Sequence, residues 1–190
     1  MKIVNDKIYI SQGETPMYDV NVYDKKTGIP YMLDSEMKQP VVEFIVRPSV
    51  YDSDKDYKLR KYLDFSDVKK FKRIPKKLIE IPTVTMTEIE TNDAPLSSHV
   101  EELHVCSNDG INDFYYWDGS KWEKYVFNIR FKMEHKYTSK MEAKTYKYEV
   151  VVFDATPVKE NEEIVSLTDI DDKKFLLEAT DFIVGGSLSE

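Results

Sequence analysis

Short runs in which aromatic or β-branched residues alternate with polar ones recur along the chain, and this period of two constrains the fold more than any other feature. In Tyr18-Asp19-Val20-Asn21-Val22-Tyr23, the side chains of Tyr18, Val20 and Val22 share one face of an extended backbone while Asp19 and Asn21 share the other. Further segments of strand character, several of them alternating, are Lys7 to Ile10, Val41 to Val46, Thr83 to Ile89, His99 to Cys106, Asp113 to Trp117, Tyr125 to Met133, Tyr146 to Phe153 and Lys174 to Leu177. Rings and branched side chains suit a pleated, half-buried surface, and the chain carries 13 Tyr and 9 Phe against 6 Gly. The expected class is all-β, an antiparallel β-sandwich whose sheets have one dry and one wet face.

The gaps between these runs carry turn chemistry. Gly accepts positive φ, and Asp or Asn side chains close the local backbone. Lys25-Lys26-Thr27-Gly28 and Asn108-Asp109-Gly110 are expected to reverse the chain, and Asp118-Gly119 between Trp117 and Trp122 is a strong hairpin signal. Pro30, Pro40, Pro48, Pro75, Pro82 and Pro95 sit at or beside segment ends, where a missing amide costs a ladder little. Helix is scarce. The best stretch is Lys55 to Lys70, where Tyr57, Leu59, Tyr62, Leu63 and Val68 roughly follow a 3.6 period without a good cap, and it reads equally as an edge strand followed by a loop.

With 190 residues, 41% apolar and 33% charged, the chain reads as one soluble domain. Such a chain buries roughly 70% of its unfolded surface without help from metals or disulfides, and the lone Cys106 has no partner for an intrachain bridge. No stretch approaches the ~20 apolar residues that span a bilayer, and the opening MKIVNDKIYIS lacks the apolar core of a secretion signal. Residues 1–155 are expected to form the sandwich. Residues 156–190, beyond the boundary-like DATPVKENEE, would be a tail docked on the body or on a neighbouring subunit. The net charge of -8 repels phosphate backbones, so nucleic acid is not an expected partner. The one basic run, Lys69, Lys70, Lys72, Arg73, Lys76 and Lys77, is interrupted by Pro75 and reads as a solvated loop.

Converging titratable groups are hard to find. His99 and His104 are five positions apart, which puts them on opposite faces of a strand or about 140° apart on a helix, so a shared metal is not expected. His135 follows Glu134 in a charged stretch and reads as a strand-end residue. Cys106 shares a face with His104 in an extended chain but has no elbow or helix start to activate it, so it reads as a small buried thiol. Asp52-Ser53-Asp54-Lys55-Asp56 opens like a calcium loop, but Tyr57 stands where such a loop needs Gly and Leu63 where it needs Glu. Asp169, Asp171 and Asp172 read as another solvated acidic cluster. Phosphate-cradling glycine motifs, a Gly-x-Ser-x-Gly elbow and a His-Glu-x-x-His helix do not occur in the sequence. Paired carboxylates for glycoside hydrolysis stay open, because their spacing in space is invisible in sequence. No cofactor is expected.

Phe114, Tyr115, Tyr116, Trp117, Trp122, Tyr125 and Phe127 bracket one hairpin, and adjacent rings on a strand project to both faces. Three readings follow. The rings pair across strands and stiffen the hairpin, they form a patch covered by another protein subunit, or they give a sugar a stacking platform.

The order of several motifs carries a resemblance. Lys7-Ile8-Tyr9-Ile10-Ser11-Gln12-Gly13-Glu14-Thr15, Tyr18-Asp19-Val20-Asn21-Val22, Gly28-Ile29-Pro30-Tyr31 and Val42-Glu43-Phe44-Ile45-Val46-Arg47 follow one another as in the N-terminal domain of phage baseplate upper proteins, which this chain resembles. Thr145-Tyr146-Lys147-Tyr148-Glu149-Val150 is similar to the closing strand of such domains. Phe175 to Leu177 and Phe182 to Val184, with Gly186, are similar to the segment after it. Glu14 replaces the usual Asp, and Pro48 to Met141 departs from the pattern. The resemblance implies a non-enzymatic β-sandwich component of a bacteriophage virion, joined to tail or baseplate proteins after assembly in the host cytoplasm. The expected function is that of a structural or adaptor subunit, with other virion proteins and further copies of itself as partners, and no membrane. Its interface residues would be Tyr115, Trp117 and Trp122 on the hairpin and Phe175, Leu177, Phe182 and Val184 in the tail. The alternative is a carbohydrate-binding module in which Trp117 and Trp122 stack on sugar rings.

Overall fold

A computed structural model of the chain describes residues 1–33, 37–51, 56–64 and 80–186. The elements are β1 (Lys2–Val4), β2 (Lys7–Ser11), β3 (Met17–Asn21), β4 (Pro40–Arg47), β5 (Leu59–Asp64), α1 (Met86–Thr91), a 3-10 turn (Ser97–His99), β6 (Leu103–Asn108), β7 (Ile111–Trp117), β8 (Trp122–Lys124), β9 (Asn128–Lys132), α2 (His135–Thr138), β10 (Thr145–Glu160) and β11 (Glu163–Gly185). The all-β class expected from the alternating runs is the class observed. The described residues fall into two compact units, one drawn from Met1–Val20, Lys38–Asp67 and Ile129–Glu190 and the other from Asn21–Met37 and Val68–Asn128. The basic run from Lys69 to Lys77 lies outside the described residues, as does all of the calcium-like opening except Asp56.

The first unit is built on a six-stranded sheet in the order β1-β2-β11-β10-β4-β5. Its strands pair antiparallel except β2 with β11, which run parallel from Ile8↔Phe182 to Ser11↔Gly185. β4, PVVEFIVR, is buried along its whole length, as a near-continuous apolar run flanked by β10 and β5 should be. On one face, Phe44 meets Tyr148 of β10 at 5.3 Å and Phe182 of β11 at 6.3 Å between ring centroids. The β3–β9 pair adds Tyr18 and Phe131 to this core, 4.9 Å apart and stacked, with Phe131 4.7 Å from Phe44. Tilted and edge-on ring contacts of this kind contribute about 0.5–1.5 kcal/mol each beyond the area they bury. The buried hydroxyls are satisfied: Tyr148 donates to the Asp6 carbonyl, and Tyr146 donates to the Glu142 carbonyl while accepting from the Glu142 amide. The opposite face of β4 carries Glu43 and Arg47, held by Arg60 at 3.0 Å and by Glu149.

Two differences from the sequence reading have clear causes. The break expected between 155 and 156 falls inside β10, and the supposed tail is β11, whose Phe182 and Val184 are fully interior to the sheet. DATPVKENEE reads as a boundary, but β10 has lost β4 as a partner beyond Asp154, so the Pro157 within that segment disrupts only one side of a two-stranded ribbon. Thr83 to Ile89, read as a strand, instead leads from an isolated bridge into α1, because Thr85 and Glu88 form a reciprocal capping box that outweighs the β-branched pattern. The stretch from Lys55 contributes β5 rather than a helix over its described residues, which is the edge-strand alternative.

The second unit contains the β6-β7-β8 sheet. Leu103, Phe114 and Tyr125 form one small core, and Val84, Cys106 and Trp122 form another, joined by Ile89 from α1. The three sequence-expected turns of this unit are present, the first closed by the Gly28 amide donating to the Asp24 carbonyl at 2.8 Å. Asp109 and Gly110 both take positive φ, which a two-residue hairpin of this twist requires. The Asp118 carboxylate accepts the amides of Ser120 and Lys121 at 2.8 and 2.9 Å to close the four-residue loop before β8.

Candidate functional site

The geometry that stands out in the first unit is the continuation of β10 and β11 past the rest of the sheet. β10 pairs with β4 as far as Asp154↔Pro40, and from Thr156↔Thr168 to Glu160↔Glu163 its partner in the sheet is β11 alone. Asn161 and Glu162 close the ribbon with φ of 49° and 69°, the two-residue turn whose twist matches the strands. Where the ribbon leaves the sheet there is an elbow. Two steps along β10, from Asp154 to Thr156, face four along β11, from Asp172 to Thr168, and Asp169 takes a left-handed φ of 48°. The Asp154 carboxylate fixes the base by accepting the Lys38 and Gln39 amides at 2.9 and 2.7 Å, while the Ala155 amide donates to the Gln39 carbonyl at 3.1 Å. Leu167 packs on Val151, Phe153 and Ala155 at this base.

Past the elbow the ribbon is wet on most of its surface yet carries apolar side chains. Val158, Val165 and Ile170 are exposed, Ile170 by 54%, and Phe175 on the adjoining part of β11 by 50%. Isolated exposed apolar residues are ordinary, but several on one two-stranded projection form a surface suited to a partner. The ribbon also curls, so that Lys159 and Glu162 to Val165 make one wall of a cleft of about 660 Å³ whose other walls include Tyr57, Arg60 to Leu63, Phe131, Lys132, Glu134 and Tyr137. Within that cleft Glu134 accepts from Lys136 at 2.7 Å and also from Lys61. These two ammonium groups, Lys136 first, hold its carboxyl down at about 2. The Arg60 guanidinium lies 4.4 Å from the Tyr57 ring centre, and the Lys61 ammonium 5.3 Å from that of Tyr137. The cleft is thus a wall of rings and cations facing an acidic ribbon tip.

The aromatic hairpin is organised differently. Trp122 is only 8% exposed, its indole N–H donates to the Asp93 carbonyl at 2.9 Å, and its ring meets Trp117 edge-on at 5.5 Å. Tyr115 and Trp117 are half-buried against the same cluster. Trp122 therefore belongs to the hairpin's own packing, and the paired flat rings a sugar would stack on are not presented. Of the tail residues, Phe182 and Val184 are core at 0% and 2% exposure, Leu177 is half-buried, and Phe175 alone is largely exposed. The burial of Phe182 and Val184 was signalled in the sequence by their period-two spacing. What masked it was the view of the segment as a tail, too short for a core of its own.

The histidines also depart from expectation. His99 lies in the 3-10 turn rather than on a strand, which brings its ring to 6.3 Å from that of His104 instead of onto an opposite face. His104 is buried, donates from Nδ1 to the Glu102 carbonyl at 3.1 Å and packs edge-on against Trp122 at 4.8 Å. Burial pushes its pKa down. Cys106 is a buried thiol whose pKa burial pushes up, the opposite of an activated nucleophile. His135 starts α2 and meets the Gly13 carbonyl at 2.6 Å. Among the described residues no group of three or more His, Cys, Asp or Glu side chains is placed to hold a metal ion, and no helix is long and apolar enough to cross a membrane. Asp169 and Asp171 line an open hollow at the elbow with Lys38 and Asp154. No protein-family model, curated protein or solved structure matches the chain.

Proposed function

We propose that the chain is a structural or adaptor subunit of a bacteriophage virion, in the tail or baseplate, that works through protein-protein interfaces and associates both with copies of itself and with other virion proteins. The observation that carries this reading is the β10–β11 ribbon. A two-stranded projection past the body of a sheet, anchored at its base and bearing Val158, Val165, Ile170 and Phe175 on its surface, costs folding free energy unless a partner covers it. The motif order that resembles baseplate upper proteins supports the virion assignment. The interface of this reading is carried by Phe175 with the ribbon, and by the half-buried Tyr115 and Trp117 at the rim of the aromatic hairpin.

A permanent contact of this kind buries on the order of 1,600 Å². The test is the mass of the purified chain in solution, together with capture of phage tail and baseplate proteins. An oligomer, or a stable complex with a tail protein, is the expected result. A chain that stays monomeric and retains none of them overturns the proposal. A glycan array run beside it tests the carbohydrate alternative, for which binding must disappear on Trp117→Ala without loss of folding.

A further inference from the structure

We propose that the β10–β11 ribbon is exchanged between two copies of this chain, so that the tip from Lys159 to Val165 of one copy seats in the cleft formed by β5, β9 and α2 of the other. This deepens the assembly reading and rests on it. The occupant is a second copy of the tip that borders the same cleft within its own chain. Complementary surfaces that meet within one chain can meet between two, and exchange of an identical element is a low-cost route to a dimer.

Three observations favour the contact between copies over the closed arm. Within one chain the tip borders an open cleft of about 660 Å³ without filling it, which leaves the cleft walls accessible to a second copy. The charges match in balance: Glu160, Glu162 and Glu163 outnumber Lys159 at the tip, while Arg60, Lys61 and Lys132 outnumber Glu134 on the opposing walls. Arg60 and Lys61 already hold Glu43 and Glu134, so the incoming carboxylates extend ion pairs into a network rather than create isolated ones. The elbow supplies the hinge. Asp169 absorbs a left-handed backbone there, and β10 has given up β4, so a swing breaks no pairing of β10 with β4. Two exchanged ribbons lying side by side would also cover Val158 and Ile170, which a single chain exposes.

The experiment uses the full chain and two charge-reversed forms, with sedimentation equilibrium as readout and circular dichroism to confirm folding. One form reverses the tip, Glu160→Lys, Glu162→Lys and Glu163→Lys. The other reverses the cleft, Lys61→Glu and Lys132→Glu. The wild-type chain is expected to dimerise, and each reversed form alone to associate at least about tenfold more weakly, because like charges then face each other. An equimolar mixture of the two forms should recover the wild-type constant to within about threefold, since both contacts of the mixed pair are again complementary. Each other outcome has a distinct meaning. Dimers indifferent to reversal, or a mixture that is not rescued, overturn the exchange and leave self-association standing. A wild-type monomer that still captures tail proteins overturns the exchange alone, and one that captures none overturns the assembly reading as well. Binding of an acidic polysaccharide by a wild-type monomer, lost on the cleft reversal, would assign the cleft to a ligand instead. If the cleft form fails to fold, Lys132→Glu alone replaces it, because Lys132 is exposed and sits outside the Lys61–Glu134 pair.

Discussion

Two hairpins of this chain invite the same reading from sequence and have opposite physical characters. The β7–β8 hairpin is dense in rings, and those rings are spent on each other and on α1: Trp122 is buried, its N–H is bonded to Asp93, and Trp117 lies against it. The β10–β11 ribbon is mostly polar, and its few apolar residues face solvent. Aromatic density therefore marks where a small sheet makes its own core, whereas sparse apolar side chains on a ribbon that has lost its neighbours mark where a partner belongs. An interface is better sought where packing is unfinished than where hydrophobicity is highest.

The strongest test of this contrast is Trp122→Ala. Emptying a buried, hydrogen-bonded indole should cost about 3–5 kcal/mol, read as an early unfolding transition in urea, and a loss below ~1 kcal/mol would make the hairpin a surface after all. Next comes pH. The folded pKa of His104 is depressed, first by burial, so the second unit is at full stability above the ordinary histidine value of about 6.5 and loses it as pH falls from there toward the depressed value. His99, Glu102 and Glu88 are the titratable groups whose charges act on His104. His104→Gln should flatten the fall below the ordinary histidine value of about 6.5, measured as urea midpoint against pH, while exposed ribbon residues leave it unchanged. Glu162→Gly at the tip should stabilise the ribbon modestly, by up to about 1 kcal/mol, because relief of a left-handed side-chain clash exceeds the added freedom of the unfolded chain. Smallest in the fold is Phe175→Ser, expected within ~0.5 kcal/mol of wild type, yet it should weaken association. A large loss of stability there would mean that Phe175 is core and that the contrast fails.

Much of the fold was legible because period two survives in strands that bury one face. Tyr18, Tyr146 and Tyr148 are core residues on runs that the alternation identifies. Turn chemistry was equally local, as Asp109-Gly110 and Asp118-Gly119 show. What was illegible depends on partners distant in sequence. The parallel pairing of β2 with β11 leaves no local signature, so residues 156–186 looked like an appendage rather than a member of the central sheet. The α1 helix was hidden by β-branched residues and revealed only by the Thr85–Glu88 spacing. The cleft beside Glu134 assembles residues from β5, α2 and β11, and no motif could have announced it.

The union of Ile8 with Phe182 sets a timetable for the newborn polypeptide. Ribosomes add about 5–20 residues per second, so β2 emerges and then waits on the order of ten seconds before its mate exists. During that interval Ile8 and Ile10, which end up buried, have β1 on one edge of their strand and no partner on the other. Birth in a crowded cell thus favours an attendant chaperone, or swift completion of translation, for the edge of this sheet to close correctly.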